Sequence, residues 1–275
     1  MKTNTVIQGH IGGGKTRSAL TLLPEYEDER GKVRKGAGLE TFLLAMEPGY
    51  QHVLRSHSCK QGIHVHYHVP DKVDWDTIAF YAGLMRNMSV KEVSETPDRN
   101  KRNYTGFYDL MTTVCKNFIC DTCGNEFGDI STWDESRALV LDSLTPLSDL
   151  IRQCVVGGKP ISSQPEYYTM YGFALNFIRL LFQQCQCSVV LTAHIDREQH
   201  PVLDRSVLTV DTIGQKLAVQ ICKMPDELVT AYTENGKDFY WSNATLHTGQ
   251  VVKRRALPLG EKLAPDFSLI FKPPQ

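Results

Sequence analysis

Apolar residues in this chain gather into short runs of strand length, most of them closed by a turn-forming or charged residue. Residues 5–8 (TVIQ) stop at Gly9 and predict a buried strand opening onto a loop. Residues 16–23 predict a helix ending at Pro24, and residues 25–38, with four Lys/Arg and four Asp/Glu, a solvated loop. TFLLAM at 41–46 predicts a second buried strand, closed by the turn signal Glu47-Pro48-Gly49. IHVHYHV at 63–69 alternates strictly and predicts a third strand with one polar face. ALVL at 138–141 and SVVLTA at 188–193 predict two more buried strands, ending at Asp142 and His194. Helical spacing marks residues 74–88, 104–118 and 166–184, with polar loops at 89–102, 157–165 and 196–212. Residues 228–232 and 239–242 predict a hairpin turning at Asn235-Gly236.

Strands that are apolar on both faces and separated by helices belong to a mainly parallel sheet covered on both sides, so the fold class is α/β. Residues 70–137 lack strong strands and read as an insertion into one domain spanning 1–275. A chain of 275 residues with 41% hydrophobic residues can bury one large core. The 30 basic and 31 acidic residues nearly cancel, so charge alone marks neither a nucleic-acid binder nor a membrane-surface protein, although a local basic groove is compatible with it. We see no secretory signal and no apolar run near the roughly 20 residues of a membrane helix. The expectation is a soluble, cytoplasmic protein whose eight cysteines are mostly buried free thiols.

The chemistry begins at Gly9-His10-Ile11-Gly12-Gly13-Gly14-Lys15-Thr16, which fits G-x-x-x-x-G-K-[ST] between a strand and a helix. Glycines let backbone N–H groups wrap phosphates, and the helix N-terminus favours the anion. Lys15 is expected to reach the β- and γ-phosphates of ATP, and Thr16 to ligate Mg²⁺. Asp142, at a strand end, is the second candidate for Mg²⁺, with Ser143 beside it. Glu47 ends the strand after the loop's helix and is the candidate base or water-orienting residue, with Asp196 and Glu198 as competitors. His194 ends the fifth strand and is a candidate γ-phosphate sensor.

In Cys115-x4-Cys120-x2-Cys123-Gly124 the Cys-x2-Cys-Gly end resembles one knuckle of a zinc ribbon, with Cys115 as a candidate third ligand and a residue such as Cys59 or His57 as a fourth. We read it as a reduced cysteine pair, with zinc as the alternative, and His64, His66 and His68 as the polar face of their strand. Lys253-Arg254-Arg255 is a basic cluster suited to a solvated turn, a finger donated to a neighbouring subunit, or phosphate contacts.

Together GHIGGGKT, LLAME, ALVLDSLTPLSDL and VVLTAHIDRE resemble a family of phage-encoded P-loop ATPases, the RecA-like Sak-type single-strand annealing or recombination proteins. The resemblance spans most of the chain. It implies a RecA-like P-loop fold, ATP hydrolysis coupled to single-stranded DNA in recombination or replication, and a homo-oligomer. It also implies that Lys15 and Thr16 hold nucleotide and Mg²⁺, Glu47 acts as the catalytic glutamate, Asp142 is metal-associated, and His194 is the sensor. The insertion at 70–137, and a histidine where RecA proper has a glutamine sensor, depart from the pattern. The competing readings are another DNA motor (a helicase or packaging ATPase), a small-molecule kinase, and a nucleotide-gated adaptor.

Overall fold

The computed structural model describes residues 2–28, 31–51, 64–70, 104–157, 163–199, 206–236, 238–244 and 253–271, with a few positions between 75 and 92. Most of the predicted helix at 74–88 and loop at 89–102 lies outside the described residues, as do His57 and Cys59.

The strands are β1 (Asn4–Gly9), β2 (Glu25–Glu27), β3 (Val33–Lys35), β4 (Glu40–Ala45), β5 (His66–His68), β6 (Arg137–Asp142), β7 (Ser188–Gln199), β8 (Ser206–Val210), β9 (Glu227–Glu234) and β10 (Asp238–Ser242). The helices whose bounds are described are α1 (Lys15–Ser18), α2 (Gly106–Asp109), α3 (Leu144–Val156), α4 (Gln164–Gln183), α5 (Gln215–Lys223) and α6 (Ser268–Phe271). The central sheet runs β10-β9-β1-β7-β6-β4-β5, parallel except where β10 pairs with β9. The chain is thus a mixed α/β structure with a mostly parallel sheet.

Period-two alternation decides which layer each strand residue joins. Val6, Phe42, Leu44, Leu139, Leu141, Val189 and Leu191 face one cluster, packed against α3, α4 and α5. Ile7, Leu43, Val140 and Val190 face the other, with Leu20, Leu22, Trp241 and Phe267. The sheet is therefore covered on both faces, as its uniformly apolar strands require. Helix α4 begins with a capping box, in which the Ser163 side chain and Glu166 satisfy backbone N–H groups at its first turn.

Several expectations need correction. The predicted helix at 16–23 is only one α-turn, continued by a 3₁₀ turn at Ala19–Leu22. The predicted loop at 25–38 contains the small β2–β3 hairpin, whose pairing is antiparallel. The 104–118 segment forms α2 followed by a π-turn at Leu110–Val114. The predicted loop at 196–212 is strand over its described part up to Val210: β7 continues past His194 and pairs antiparallel with β8, while residues 200–205 lie outside the described residues. Part of the presumed insertion is core, because Phe107, Leu110, Phe118, Ile130 and Trp133 are all buried in the first cluster. The C-terminal hairpin forms where expected, with Asn235 at φ 51° and Gly236 at φ 67° in its turn. No helix among the described residues is long and apolar enough to cross a membrane.

Candidate functional site

Register brings the predicted residues to one end of the sheet. Gly9 pairs with His194 across β1 and β7, and Ala45 with Asp142 across β4 and β6. The Met46 N–H donates to the Asp142 carbonyl at 2.8 Å, which extends that ladder and carries Glu47 alongside Ser143. The Asp142–Ser143 peptide is cis.

The 9–16 loop leaves β1 under tight constraint. A Cβ on Gly9 would lie 2.3 Å from the Ala231 carbonyl oxygen of β9, so only glycine fits there. Gly14 adopts φ 80°, and a Cβ there would sit 2.6 Å from the Phe239 ring of β10. Gly14→Ala combines a left-handed backbone with a displaced aromatic ring, a cost of about 1–3 kcal/mol. It is expected to lower the melting temperature by roughly 2–12 °C, read by differential scanning fluorimetry. An unchanged melting temperature would mean that the loop relaxes freely. At the loop's tip Ile11 is 87% exposed, and His10 is exposed beside it.

Lys15 is buried, and its Nζ donates to the carbonyls of Gly9 (3.0 Å) and His10 (2.9 Å). The same ammonium lies 3.3 Å from His194 Nδ1, and His194 Nε2 lies 2.7 Å from Glu47 Oε1. An ammonium can only donate, so this network fits the tautomer with Nδ1 accepting and Nε2–H donating to the carboxylate. Ser143 Oγ donates to the same Glu47 oxygen. Burial holds the Lys15 ammonium below its ordinary pKa, against the opposing pull of Glu47 and Asp142.

Asp142 is 1% exposed. Thr16 Oγ1 donates to its Oδ2 at 2.7 Å, and Thr192 Oγ1 donates to its Oδ1. Burial raises the Asp142 pKa, helped by the neighbouring Glu47 charge, although the two threonine bonds and Lys15 oppose the rise. Lys15, His194, Glu47 and Ser143 therefore form one polar network, and Thr16, Asp142 and Thr192 a second beside it, at four adjacent strand ends. Of the competing carboxylates, Asp196 is exposed on the β7–β8 extension beyond His194, and the side chain of Glu198 lies outside the described residues.

No local motif marks the cleft beside the loop. Gly14, Arg17, Tyr26, Asp238, Phe239 and Tyr240 line a space of about 630 Å³. The Arg17 guanidinium lies 5.9 Å from the centre of the Phe239 ring. The aromatic character of β10 was a readable signal, but only the fold brings it against α1.

The cysteine expectation changes. Cys115 packs against the core, where burial pushes its thiol up to about 12. It is Cys120 and Cys123 that gather side chains, and their partners are His64 and His66. His68, expected on the same face, turns instead to the Ile119 carbonyl (3.1 Å) and to Asp121. In the basic cluster Lys253 donates to the Lys223 carbonyl and Arg255 pairs with Asp226, while Arg254 is exposed. No protein-family model matches this sequence, and no curated protein matches it.

Proposed function

We propose that this protein binds ATP with Mg²⁺ at the 9–16 loop and hydrolyses it, as a RecA-like ATPase of the Sak type acting on single-stranded DNA. The observation that carries the reading is the network joining Lys15, His194 and Glu47 beside the Thr16–Asp142 pair. In open α/β sheets, ligands gather at the carboxyl ends of the strands, which is where this network lies.

The residues fit the nucleotide and its cation. Lys15 offers an ammonium that now caps two loop carbonyls and is free to exchange them for phosphate oxygens. Thr16 and Asp142 are an all-oxygen pair suited to a hard cation. Mg²⁺ would neutralise charge on the β- and γ-phosphates. The cleft edged by Arg17, Tyr26 and Phe239 suits the base and ribose. Glu47 accepts a proton from, or orients, the attacking water, while Ser143 and His194 hold its carboxylate.

His194 supports coupling to DNA. Its ring bridges Lys15 and Glu47, and its backbone is the root of the β7–β8 extension, where the Asp211 N–H donates to the His194 carbonyl at 2.8 Å. In this reading the γ-phosphate competes with His194 for Lys15, and the altered histidine shifts the extension that meets DNA. The exposed Arg254 is our candidate for a finger donated within a homo-oligomer.

The test is steady-state ATP turnover of the full chain with Mg²⁺, with and without single-stranded DNA of random sequence. We expect Mg²⁺-dependent turnover that rises several-fold with DNA. Turnover indifferent to DNA would remove the DNA half of the reading, and failure to bind or hydrolyse any nucleoside triphosphate would remove all of it.

A further inference from the structure

Four side chains from two distant parts of the chain converge at the far edge of the sheet. His64 and His66 come from the β5 segment, and Cys120 and Cys123 from a tight turn more than fifty residues later. One ligand atom from each lies within 4.8 Å of every other. Cys120 Sγ is 3.8 Å from His64 Nε2, and Cys123 Sγ is 3.8 Å from His66 Nδ1. A tetrahedral zinc ion with bonds of about 2.3 Å to sulfur and about 2.0–2.1 Å to nitrogen requires ligand atoms about 3.3–3.8 Å apart. The cluster is already close to that spacing, and a contraction of about 1 Å at its widest pair completes it.

The surroundings are built to aim these ligands. The other ring nitrogen of His66, Nε2, lies 3.6 Å from Glu40 Oε1, and Glu40 Oε2 accepts from Arg137 Nε at 2.7 Å. A carboxylate behind a ligating imidazole fixes its tautomer and orientation. The His66 ring also stacks on Phe42, with centroids 5.0 Å apart, so its rotamer is set by packing as well. The cysteine turn is a knuckle: the Gly124 N–H donates to the Cys120 carbonyl at 2.9 Å, with Gly124 at φ 71°. The Asp121 N–H donates to the Tyr67 carbonyl at 2.8 Å, and the Val69 N–H donates to Asp121 Oδ2 at 2.9 Å, which docks the knuckle on β5.

We infer that His64, His66, Cys120 and Cys123 bind one structural Zn²⁺ ion. The donor set is the soft-to-borderline N₂S₂ mixture that selects zinc over Mg²⁺ or Ca²⁺. Four protein ligands leave no open position, so the site is structural rather than catalytic. Its work is topological. The ion ties edge strand β5, where the chain enters the 70–137 segment, to the knuckle near that segment's return, and so closes a long loop. The inference is independent of the nucleotide reading, because His66 pairs with Phe42 and lies against Glu40 at the start of β4, whereas the nucleotide residues follow the carboxyl ends of the strands.

The experiment uses the full chain, expressed with zinc in the medium and analysed by elemental mass spectrometry. We expect one zinc per chain in wild type and in Cys115→Ser. Cys123→Ser changes an exposed thiol and is expected to weaken zinc binding at least 10-fold, and Glu40→Gln by roughly 10–100-fold, read by competition with a chromogenic chelator. A second readout needs no variant: Co²⁺ added to zinc-stripped wild type should give tetrahedral d–d bands with thiolate-to-metal charge transfer. Wild type that carries no zinc and gives no such spectrum would overturn the inference, as would Cys123→Ser that holds zinc as tightly as wild type.

Discussion

Replacing Glu47 with glutamine is expected to lower ATP turnover by about 10²–10⁴-fold, the usual contribution of a positioned general base. Nucleotide affinity should stay within a few-fold of wild type. The geometry makes the substitution selective. Glu47 Oε1 accepts from His194 Nε2 and from Ser143 Oγ, and a glutamine Oε1 accepts the same two bonds. What is lost is the negative charge and the ability to take a proton. Lys15 is not within the hydrogen-bond partners of Glu47, so the loop's grip on phosphate is left in place. The measurement is kcat by phosphate release, paired with the dissociation constant of a fluorescent ATP analogue. Lys15→Ala is the contrast, expected to lose binding and turnover together. A Glu47→Gln protein with wild-type kcat would move the base elsewhere, with Asp196 the next candidate.

How far the chain discloses its own structure depends on what drives each element. The strands β1, β4 and β6 and the first half of β7 are written as apolar runs, because burial on two faces leaves no other choice of residues. The strand ends that carry Glu47, Asp142 and His194 were legible for the same reason. Elements built without burial were not. The β2–β3 hairpin is exposed along most of its length, and its charged residues read as loop. The β7–β8 extension leaves the sheet as HIDREQ, a polar run that reads as loop, and antiparallel backbone pairing makes it a strand. The helices α3 and α5 carry a legible amphipathic spacing. Leu144, Leu147, Leu150 and Ile151 fall on one face, as do Leu217, Ala218, Ile221 and Cys222. The metal cluster shows another limit. Local spacing pointed to Cys115 as a third ligand, but the partners of Cys120 and Cys123 lie on a strand more than fifty residues earlier. Only the parallel pairing of β5 with β4 puts His66 beside Phe42 and within reach of the knuckle.

Asp142→Asn should raise the stability of the nucleotide-free protein while removing its Mg²⁺-dependent activity. The carboxylate is 1% exposed, and desolvation is the largest influence on it, so its folded-state pKa lies above the unfolded value. Between those two values the folded state binds more protons than the unfolded state, so stability falls as pH rises. Above that window the folded protein carries the whole cost of a buried charge. Lys15 returns part of it, but its own pKa is lowered by burial, so the pair is desolvated at both ends. Asparagine is close to isosteric and uncharged, and the Thr16 and Thr192 hydroxyls can rotate to bond its amide. Without nucleotide and with a chelator present, the variant should melt about 2–4 °C above wild type at a pH above that window, the response of a large domain to about 1 kcal/mol. The gap should close as pH falls toward the unfolded carboxylate range of about 3.9. Adding Mg²⁺ and ATP should reverse the order. Ligand at 100 times its dissociation constant stabilises wild type by about 2.7 kcal/mol, and a variant that no longer binds Mg²⁺·ATP gains little. Turnover of the variant should fall by about 10²–10³-fold, the loss seen when one preorganised electrostatic group is removed. An apo variant less stable than wild type would show that attraction to Lys15 outweighs desolvation. A variant still stabilised by Mg²⁺ and ATP as strongly as wild type would remove Asp142 from the metal site.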